Sequence, residues 1–380
     1  MVKEKLYNIP CISKEDASKK GYVVDALASN VTFNEVANLD LHYQPIVSRR
    51  GEEADDDGYH VEADGFGGSD AGAIYGVNHN RPAALACMQK LGLVERDTPT
   101  DELQYIFDNG HVMEIPLIAL YERQSGNECW RDRSQYQHPF YPWMKADMDG
   151  FCRLPNGEIA IVECKTHSTM KQVASKWHSG VYGVDGTLGR PEYLIQAAHD
   201  MAVCNLNTTI FIAGSSNNPN DVTIVTVKRD LELERDLINV EGKVWTDMLN
   251  FKLPQSDSFN DAAYDAFVKG FRRVELEDDQ PPVEIDATHL DIINKIDELN
   301  VISKNLDEQK KANDAKINAL KVQLIQEIGG VERAICGDKK ITYTTSTRTS
   351  VDSKKLQLNF PEVYEQVKKT TESKPTLKIK

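Results

Sequence analysis

The sequence predicts an α/β fold, a central mixed sheet flanked by helices with a helical C-terminal extension. Three observations predict it. β-Rich runs at 159–165, 208–214 and 222–228 alternate with segments of helical spacing at 83–93, 100–124, 191–204 and 231–250. An acidic stretch at 275–287 holds Pro281-Pro282 and reads as a linker. Beyond it, Ile292, Leu299, Leu306 and Leu320, with Ile296, Ile317 and Leu324 as companions, recur at heptad spacing.

Taken in order, residues 1–60 read as an irregular N-terminal arm. Its acidic run Glu52-Glu-Ala-Asp-Asp-Asp57 is expected to be a solvated loop. The main domain spans 61–275. Gly65-Phe-Gly-Gly-Ser-Asp70 is a glycine-rich turn, and the small residues after it open a helix. Pro155, Asn156 and Gly157 build the turn that feeds the strand Ile159–Lys165. An irregular stretch follows from 166 to 190. Pro191-Glu192 then starts a helix on which Tyr193 and Gln196, three apart, share a face. The runs at 208–214 and 222–228 form a hairpin completing the sheet, and Pro254 closes the helix at 231–250. Ser303, Lys310 and Asn313 interrupt the heptad seam, so 285–330 reads as one long amphipathic helix or a helical hairpin, ended by Gly329-Gly330. Residues 331–380 read as a small hairpin around Gly337-Asp338, a helix from about Asp352 and a lysine-rich tail.

At 380 residues the chain can bury a sizeable core. No apolar run reaches membrane-spanning length and Met1-Val-Lys-Glu-Lys lacks a signal-peptide core, so a cytoplasmic protein without membrane contact is expected. Seven scattered cysteines with no CxxC spacing argue against a disulfide framework or zinc site. A formal net charge of −15 counts against a protein that coats nucleic acid electrostatically, and counts less against an enzyme that confines positive charge to one channel.

Residues 149–165 carry the most chemistry. Asp149 precedes the turn, and on the following strand Glu163 and Lys165 project to one face while Val162 and Cys164 point to the other. A Glu-x-Lys on a half-exposed strand is commonly a solvated pair. Here Ile159, Ile161 and Val162 imply a buried strand, where charges are costly unless paired or metal-bound. Two acids and a lysine at one hairpin suit metal-assisted phosphodiester hydrolysis, with hard oxygen ligands for Mg²⁺ and a cation beside the attacking water. Asp147 is the competing acid, and Asp149 is preferred because glycine follows it and it lies nearer the strand pair. His138 and His167 read as packing or loop residues, and His199 and Asp200 as structural or surface residues.

With the Gly-Gly-Ser-Asp turn, the Asp149…Glu163-x-Lys165 hairpin and Tyr193-x-x-Gln196 in this order, the chain resembles the YqaJ-type viral recombinases, relatives of phage lambda exonuclease within the PD-(D/E)xK nuclease superfamily. The resemblance runs from about Phe66 to Pro254. It implies a restriction-endonuclease-like sheet and a Mg²⁺-dependent exonuclease, for which Mn²⁺ substitutes. Such an enzyme digests double-stranded DNA ends 5′ to 3′ and leaves 3′ overhangs for homologous recombination by strand annealing. It further implies Asp149, Glu163, the backbone carbonyl of Cys164 and Glu114 as metal ligands, Lys165 as the group that steadies the nucleophile, and Tyr193 and Gln196 as the pair that orients the lysine. Ser69 resembles a turn hydroxyl that contacts a substrate phosphate. Relatives place an arginine shortly before the Gly-Gly-Ser turn to grip a 5′-phosphate; Tyr59–Gly65 offers only His60, and Arg49 or Arg50 is the expected substitute. The implied partners are a single-strand annealing protein of the RecT/Bet type and further copies of the chain in a trimeric ring, in a phage- or prophage-encoded system. Related exonucleases with an iron-sulphur cluster need cysteines after the glutamine helix. Here only Cys204 and Cys336 lie there, so no cluster is expected. Two rival readings stay open: a restriction-type or structure-specific endonuclease of the same fold, and a non-catalytic DNA-binding or assembly protein that kept the fold.

Overall fold

The structure is a computed structural model. It describes residues 33–49, 65–78, 80–94, 101–132, 134–167, 176–215, 218–250, 252–254, 259–270, 287–345 and 353–368. The chain divides into two compact units, Met1–Gln280 and Pro281–Lys380.

The first unit is built on a six-stranded mixed sheet. Its strands are β2 (Cys129–Trp130), β5 (Gly150–Arg153), β6 (Ile159–Thr166), β7 (Gly180–Val181), β8 (Thr208–Ser215) and β9 (Asn218–Lys228). They lie in the order β2-β5-β6-β8-β9-β7. β5 and β6 are the expected antiparallel hairpin, with Gly150 opposite Val162. β6 pairs parallel to β8, with Glu163 opposite Phe211 and Lys165 opposite Ala213. β8 and β9 pair antiparallel, also as expected.

Alternation along these strands sorts the core into two layers. Phe151, Ile161, Phe211, Ala213, Val225 and Val227 join one buried cluster, which includes Ala197, Met201 and Ala202 of a helix at Glu192–Cys204. Cys152, Ala160, Val162, Ile210 and Ile212 face the other way, against Leu117, Ile118 and Tyr121 of a helix at Asp101–Ser125. In chain order the helices of this unit are α1 (Gly68–Ile74), α2 (Ala83–Lys90), α3 (Asp101–Ser125), α4 (Glu192–Cys204), α5 (Leu231–Leu249) and α6 (Asp261–Gly270). Asp230 caps α5 by accepting from the backbone N–H groups of Glu232 and Leu233.

A second sheet corrects the reading of the N-terminal arm. β1 (Ile46–Arg49) pairs antiparallel with β3 (Ser134–Gln137), which pairs with β4 (Lys145–Asp147). Tyr43 is buried and its hydroxyl donates to the Ala202 carbonyl, so this part of the arm is bound to the core. The acidic run 52–57 lies outside the described residues, as do linker positions 275–286.

In the second unit α7 (Leu290–Glu327) is one uninterrupted 38-residue helix, which decides between the two expected forms. Gly329 and Gly330 follow it with positive φ, the left-handed geometry that ends helices. None of its residues is buried. β10 (Arg333–Cys336) and β11 (Lys339–Thr342) form the small hairpin, turned at Gly337 with φ +61°. Where one helix is expected from about Asp352, two short ones occur, α8 (Ser353–Asn359) and α9 (Pro361–Val367). Proline at 361 disfavours helical backbone at Phe360 and starts the second helix instead. Among the described residues no helix is long and apolar enough to cross a membrane.

Candidate active site

The β5–β6 hairpin brings Asp149 to β6. Its turn is closed by Gly157, whose N–H donates to the Leu154 carbonyl and whose φ of +86° suits glycine. Gly150 is needed for another reason. A Cβ there would lie 2.6 Å from the Trp130 carbonyl oxygen, so only glycine lets β5 approach β2 directly after Asp149. Asp149 Oδ2 then accepts from the backbone N–H of Cys164 at 2.7 Å. Burial, then the Glu163 and Glu114 carboxylates, push the Asp149 carboxyl well above its ordinary range.

Beside Asp149 on β6, Lys165 Nζ donates to Glu163 Oε1 at 2.6 Å and to Gln196 Oε1 at 3.1 Å. Gln196 Nε2 donates to the same Glu163 oxygen at 2.7 Å, so acid, lysine and amide close a triangle. The ammonium also lies 4.9 Å from the centre of the Tyr193 ring, within cation–π range. Burial alone would lower the Lys165 pKa. The Glu163 carboxylate, its hydrogen bond and Asp149 outweigh burial and hold the ammonium above the usual lysine value, so it stays charged. Tyr193 is itself held by Trp177, which stacks on it at 5.5 Å.

The other expected residues are placed unevenly. Glu114 on α3 is near enough to act electrostatically on Asp149. Its Oε1 pairs with His111 at 2.9 Å and its Oε2 with Arg131 at 2.6 Å. Ser69 is exposed in the first turn of α1. That turn packs against α4, since a Cβ on Gly68 would collide with Asp200 Oδ1 and one on Gly72 would lie 2.6 Å from Glu192 Cβ. Arg49 lies on β1 opposite Ser134, and Arg50 falls outside the described residues. Asp147 is exposed at the end of β4, away from the role considered for it.

Divalent metal is tested by the donor set. Among the described residues, no three His, Cys, Asp or Glu side chains gather around one point. Mg²⁺ does not require such a cage. It binds through one or two carboxylates and completes its shell with water and substrate phosphate. Asp149 and Glu163 fit that pattern, because the crowding of carboxylates that raises the Asp149 pKa is relieved by a cation. Burial, then Asp149 and Glu163, push the Cys164 thiol far up, so its sulfur is no thiolate ligand and only its backbone carbonyl suits the role.

Behind the triangle lies a buried cluster that the sequence reading placed as structural or surface. His199 is fully buried, with Nδ1 at 2.8 Å from Glu241 Oε1 and Nε2 at 2.9 Å from the Lys145 carbonyl. A carbonyl and a carboxylate only accept, so both ring nitrogens carry hydrogen and the ring is an imidazolium. Burial opposes that charge, but Glu241 outweighs it and raises the pKa to about 9. Asp200 is 2% exposed, and burial raises its carboxyl pKa. In the first turn of α1, the buried Asp70 takes Arg81 at 2.5 Å and Lys90 at 2.8 Å. His138 is buried among Tyr43, Phe140 and Tyr141, as a packing residue should be.

Two acids, a lysine and a glutamine thus gather on and beside one strand of a mixed sheet. Residues 59–209 match the YqaJ-like viral recombinase domain. The chain is similar to a Bacillus subtilis (strain 168) protein described as uncharacterized protein YqaJ, 25% identical over 329 residues, which span 86% of this chain and 94% of that one. Among solved structures it is similar to an alkaline exonuclease of Laribacter hongkongensis, at 18% identity and a TM-score of 0.37, over 49% of this chain and 87% of that one. A phage-related exonuclease of Haemophilus somnus 129PT is similar at 13% identity and a TM-score of 0.35, over 49% of this chain and 93% of that one.

Proposed function

We propose that the first unit is a Mg²⁺-dependent deoxyribonuclease that digests double-stranded DNA from its ends, 5′ to 3′, and leaves 3′ overhangs for a single-strand annealing protein. The observation that carries this reading is the closed triangle of Lys165, Glu163 and Gln196 one strand residue from the Asp149–Cys164 contact. A solvated surface pair would not be buried, nor held by a third side chain from another element.

Each residue has a defined task. Asp149 and Glu163, with the Cys164 carbonyl, would hold the metal. Mg²⁺, when bound, offsets phosphate charge and acidifies a water. Lys165 has three N–H donors, two of them directed to Glu163 and Gln196. The third can reach a phosphate oxygen or the attacking water, where a fixed cation stabilises charge developing in the transition state. Tyr193 and Gln196 keep the ammonium from rotating away. Ser69 and Arg49 or Arg50 are the proposed contacts to substrate phosphate.

Net charge supports enclosure of the substrate. A chain at −15 has little electrostatic hold on a duplex, because that hold scales with phosphates neutralised. A ring of copies, three in the simplest closed form, retains DNA without it. The deciding experiment incubates the protein with end-labelled linear duplex and covalently closed circles, in Mg²⁺ and in EDTA. Loss of label from linear DNA alone, abolished by EDTA, is expected; cutting of closed circles would favour an endonuclease, and no cutting of either a non-catalytic binding protein.

A further inference from the structure

α7 carries a line of large apolar side chains open to solvent. Ile292, Leu299, Leu306 and Leu320 are each more than half exposed, Ile317 and Leu324 are 40% exposed, and no residue of the helix is buried. Helices in proteins owe most of their stability to packing along one apolar face. A long exposed line of this kind marks a surface that docks. Because α7 runs without a break, it cannot fold back to cover its own line.

The order of the seam residues selects what covers it. One set of heptad positions holds Ile292, Leu299, Leu306, Asn313 and Leu320; the other holds Ile296, Ser303, Lys310, Ile317 and Leu324. Polar residues thus gather in the middle of the helix and apolar ones toward both ends. Turning a second copy end for end, about an axis beside Glu308, pairs each set with the other. Ile292 then meets the partner's Leu324, Ile296 the partner's Leu320 and Leu299 the partner's Ile317. Ser303 meets the partner's Asn313, where hydroxyl and amide can hydrogen-bond, and the stem of Lys310 lies along the partner's Leu306. Symmetry repeats each pairing, so every apolar seam residue except Leu306 meets another apolar one. Sliding one copy by a heptad sets Ile296 against the partner's Asn313 or the partner's Glu327 instead.

Charge selects the same orientation. In a parallel pair Lys310 faces its own copy within the seam, and Lys316 flanks the partner's Lys321. In the antiparallel pair Lys316 flanks the partner's Ile302 and Lys321 the partner's Ile293, so both lysine stems cover apolar surface. The two Asp307 carboxylates approach each other at the axis, but they lie between the two Lys310 ammonium groups.

We propose that the apolar face of α7 is a self-docking surface, which pairs with α7 of a second copy in this antiparallel register. The contact is two-fold and therefore separate from a cyclic ring: added to a ring it links two rings, and without a ring it makes a dimer. The polar layers at its centre specify the register at a cost in stability, so pairing sets in above micromolar concentration.

The test follows the mass of the full chain by light scattering from micromolar to several hundred micromolar protein. The mass found at micromolar concentration should double, whether it is three chains or one, which makes the outcome independent of the ring and of the nuclease reading. Leu299→Asp should abolish the doubling. Symmetry buries Leu299 twice, and its loss weakens pairing at least roughly 100-fold. Its Tm should match wild type at micromolar concentration, because the side chain is exposed in the single chain. Orientation is read by cross-linking in a Cys336→Ser background, which removes an exposed thiol. A short bifunctional maleimide should join Ser303→Cys to Asn313→Cys when the two variants are mixed, with the linked peptides identified by mass spectrometry. Neither variant should link to its own copy, since like positions then lie about 15 Å apart along the helices. A constant mass over the whole range, or a Leu299→Asp chain that still doubles, overturns the proposal. Self-linking of Ser303→Cys or Asn313→Cys overturns the antiparallel register in favour of a parallel pair.

Discussion

Replacing Lys165 by alanine separates chemistry from folding and binding. The side chain makes a 2.6 Å bond to Glu163, whose own side chain is 7% exposed, and a 3.1 Å bond to Gln196. Its loss leaves Glu163 buried with the amide as its remaining partner in the triangle. Breaking such a pair costs about 3 kcal/mol. A domain with roughly 5–15 kcal/mol of stability survives that at 25 °C, with a lowered Tm. The catalytic loss is expected to be on the order of a hundredfold or more, the scale for removal of one positioned group, or about 2.7 kcal/mol in the barrier. Binding of duplex ends should change little, since the lysine acts on the reacting phosphate. Three measurements are needed on one preparation: Tm, equilibrium binding of a labelled duplex end in Ca²⁺, and single-turnover cleavage in Mg²⁺ at 25 °C. Cleavage at the wild-type rate by folded Lys165→Ala would refute the assignment, and so would a loss wholly accounted for by weaker binding.

The His199–Glu241 pair sets a pH dependence of stability. Because the histidine pKa is raised from 6.5 to about 9, roughly 3 kcal/mol of stabilisation is fully present below pH 6.5 and is lost as pH rises through 9. Calorimetry from pH 6 to 10 should show Tm falling over that window in the wild type, with the fall reduced in Glu241→Gln; parallel curves contradict the pairing. Gly150→Ala drives a Cβ into the Trp130 carbonyl and should destabilise by about 1–3 kcal/mol, read as a lower urea midpoint. An unchanged midpoint means that β2 and β5 do not pack as closely as described. Neutralising Arg49 and Arg50 together should remove most of any preference for 5′-phosphorylated over 5′-hydroxyl ends, a difference of roughly 1.5–3 kcal/mol; an unaltered preference places the phosphate contact elsewhere. Light scattering coupled to gel filtration at micromolar protein should give three chain masses, whereas a monomer that digests processively rules out the ring.

What was legible in the sequence follows from the lengths and periods of the elements. β6, β8 and β9 are long apolar runs, and α3, α4, α5 and α7 carry helical spacing or clear start and stop signals, so all were found. β1, β2, β3, β4 and β7 have two to four residues each, and β3 is the polar run Ser134-Gln-Tyr-Gln137. Strands that short hold no alternation to read, and they exist because tertiary partners pair with them. Asp149 stood out because glycine follows it, and Glu163 with Lys165 because charges interrupt a buried strand. For Asp200 and His199 the sequence left structural and surface roles open, for a physical reason. From Ala197 to Cys204 every residue of α4 is buried, so the helix has no wet face in this stretch and periodicity cannot sort its polar residues. Small residues around them (Ala197, Ala198 and Ala202) were the available signal. Trp177 and Arg131 sit in irregular or short segments, and nothing local marked them.

The parallel pairing of β6 with β8 has a kinetic consequence. The Asp149–Cys164 contact spans 15 residues, whereas Gln196 meets Lys165 across 31 and Glu163 across 33. A hairpin closes on the microsecond scale with its own short turn. A parallel strand must wait for the crossover that carries α4, and that longer closure is entropically slower. On a refolding chain the acids therefore meet first and the amide clasp arrives last. Any local opening that lifts α4 reverses only the second event, leaving the carboxylates assembled and the lysine unrestrained.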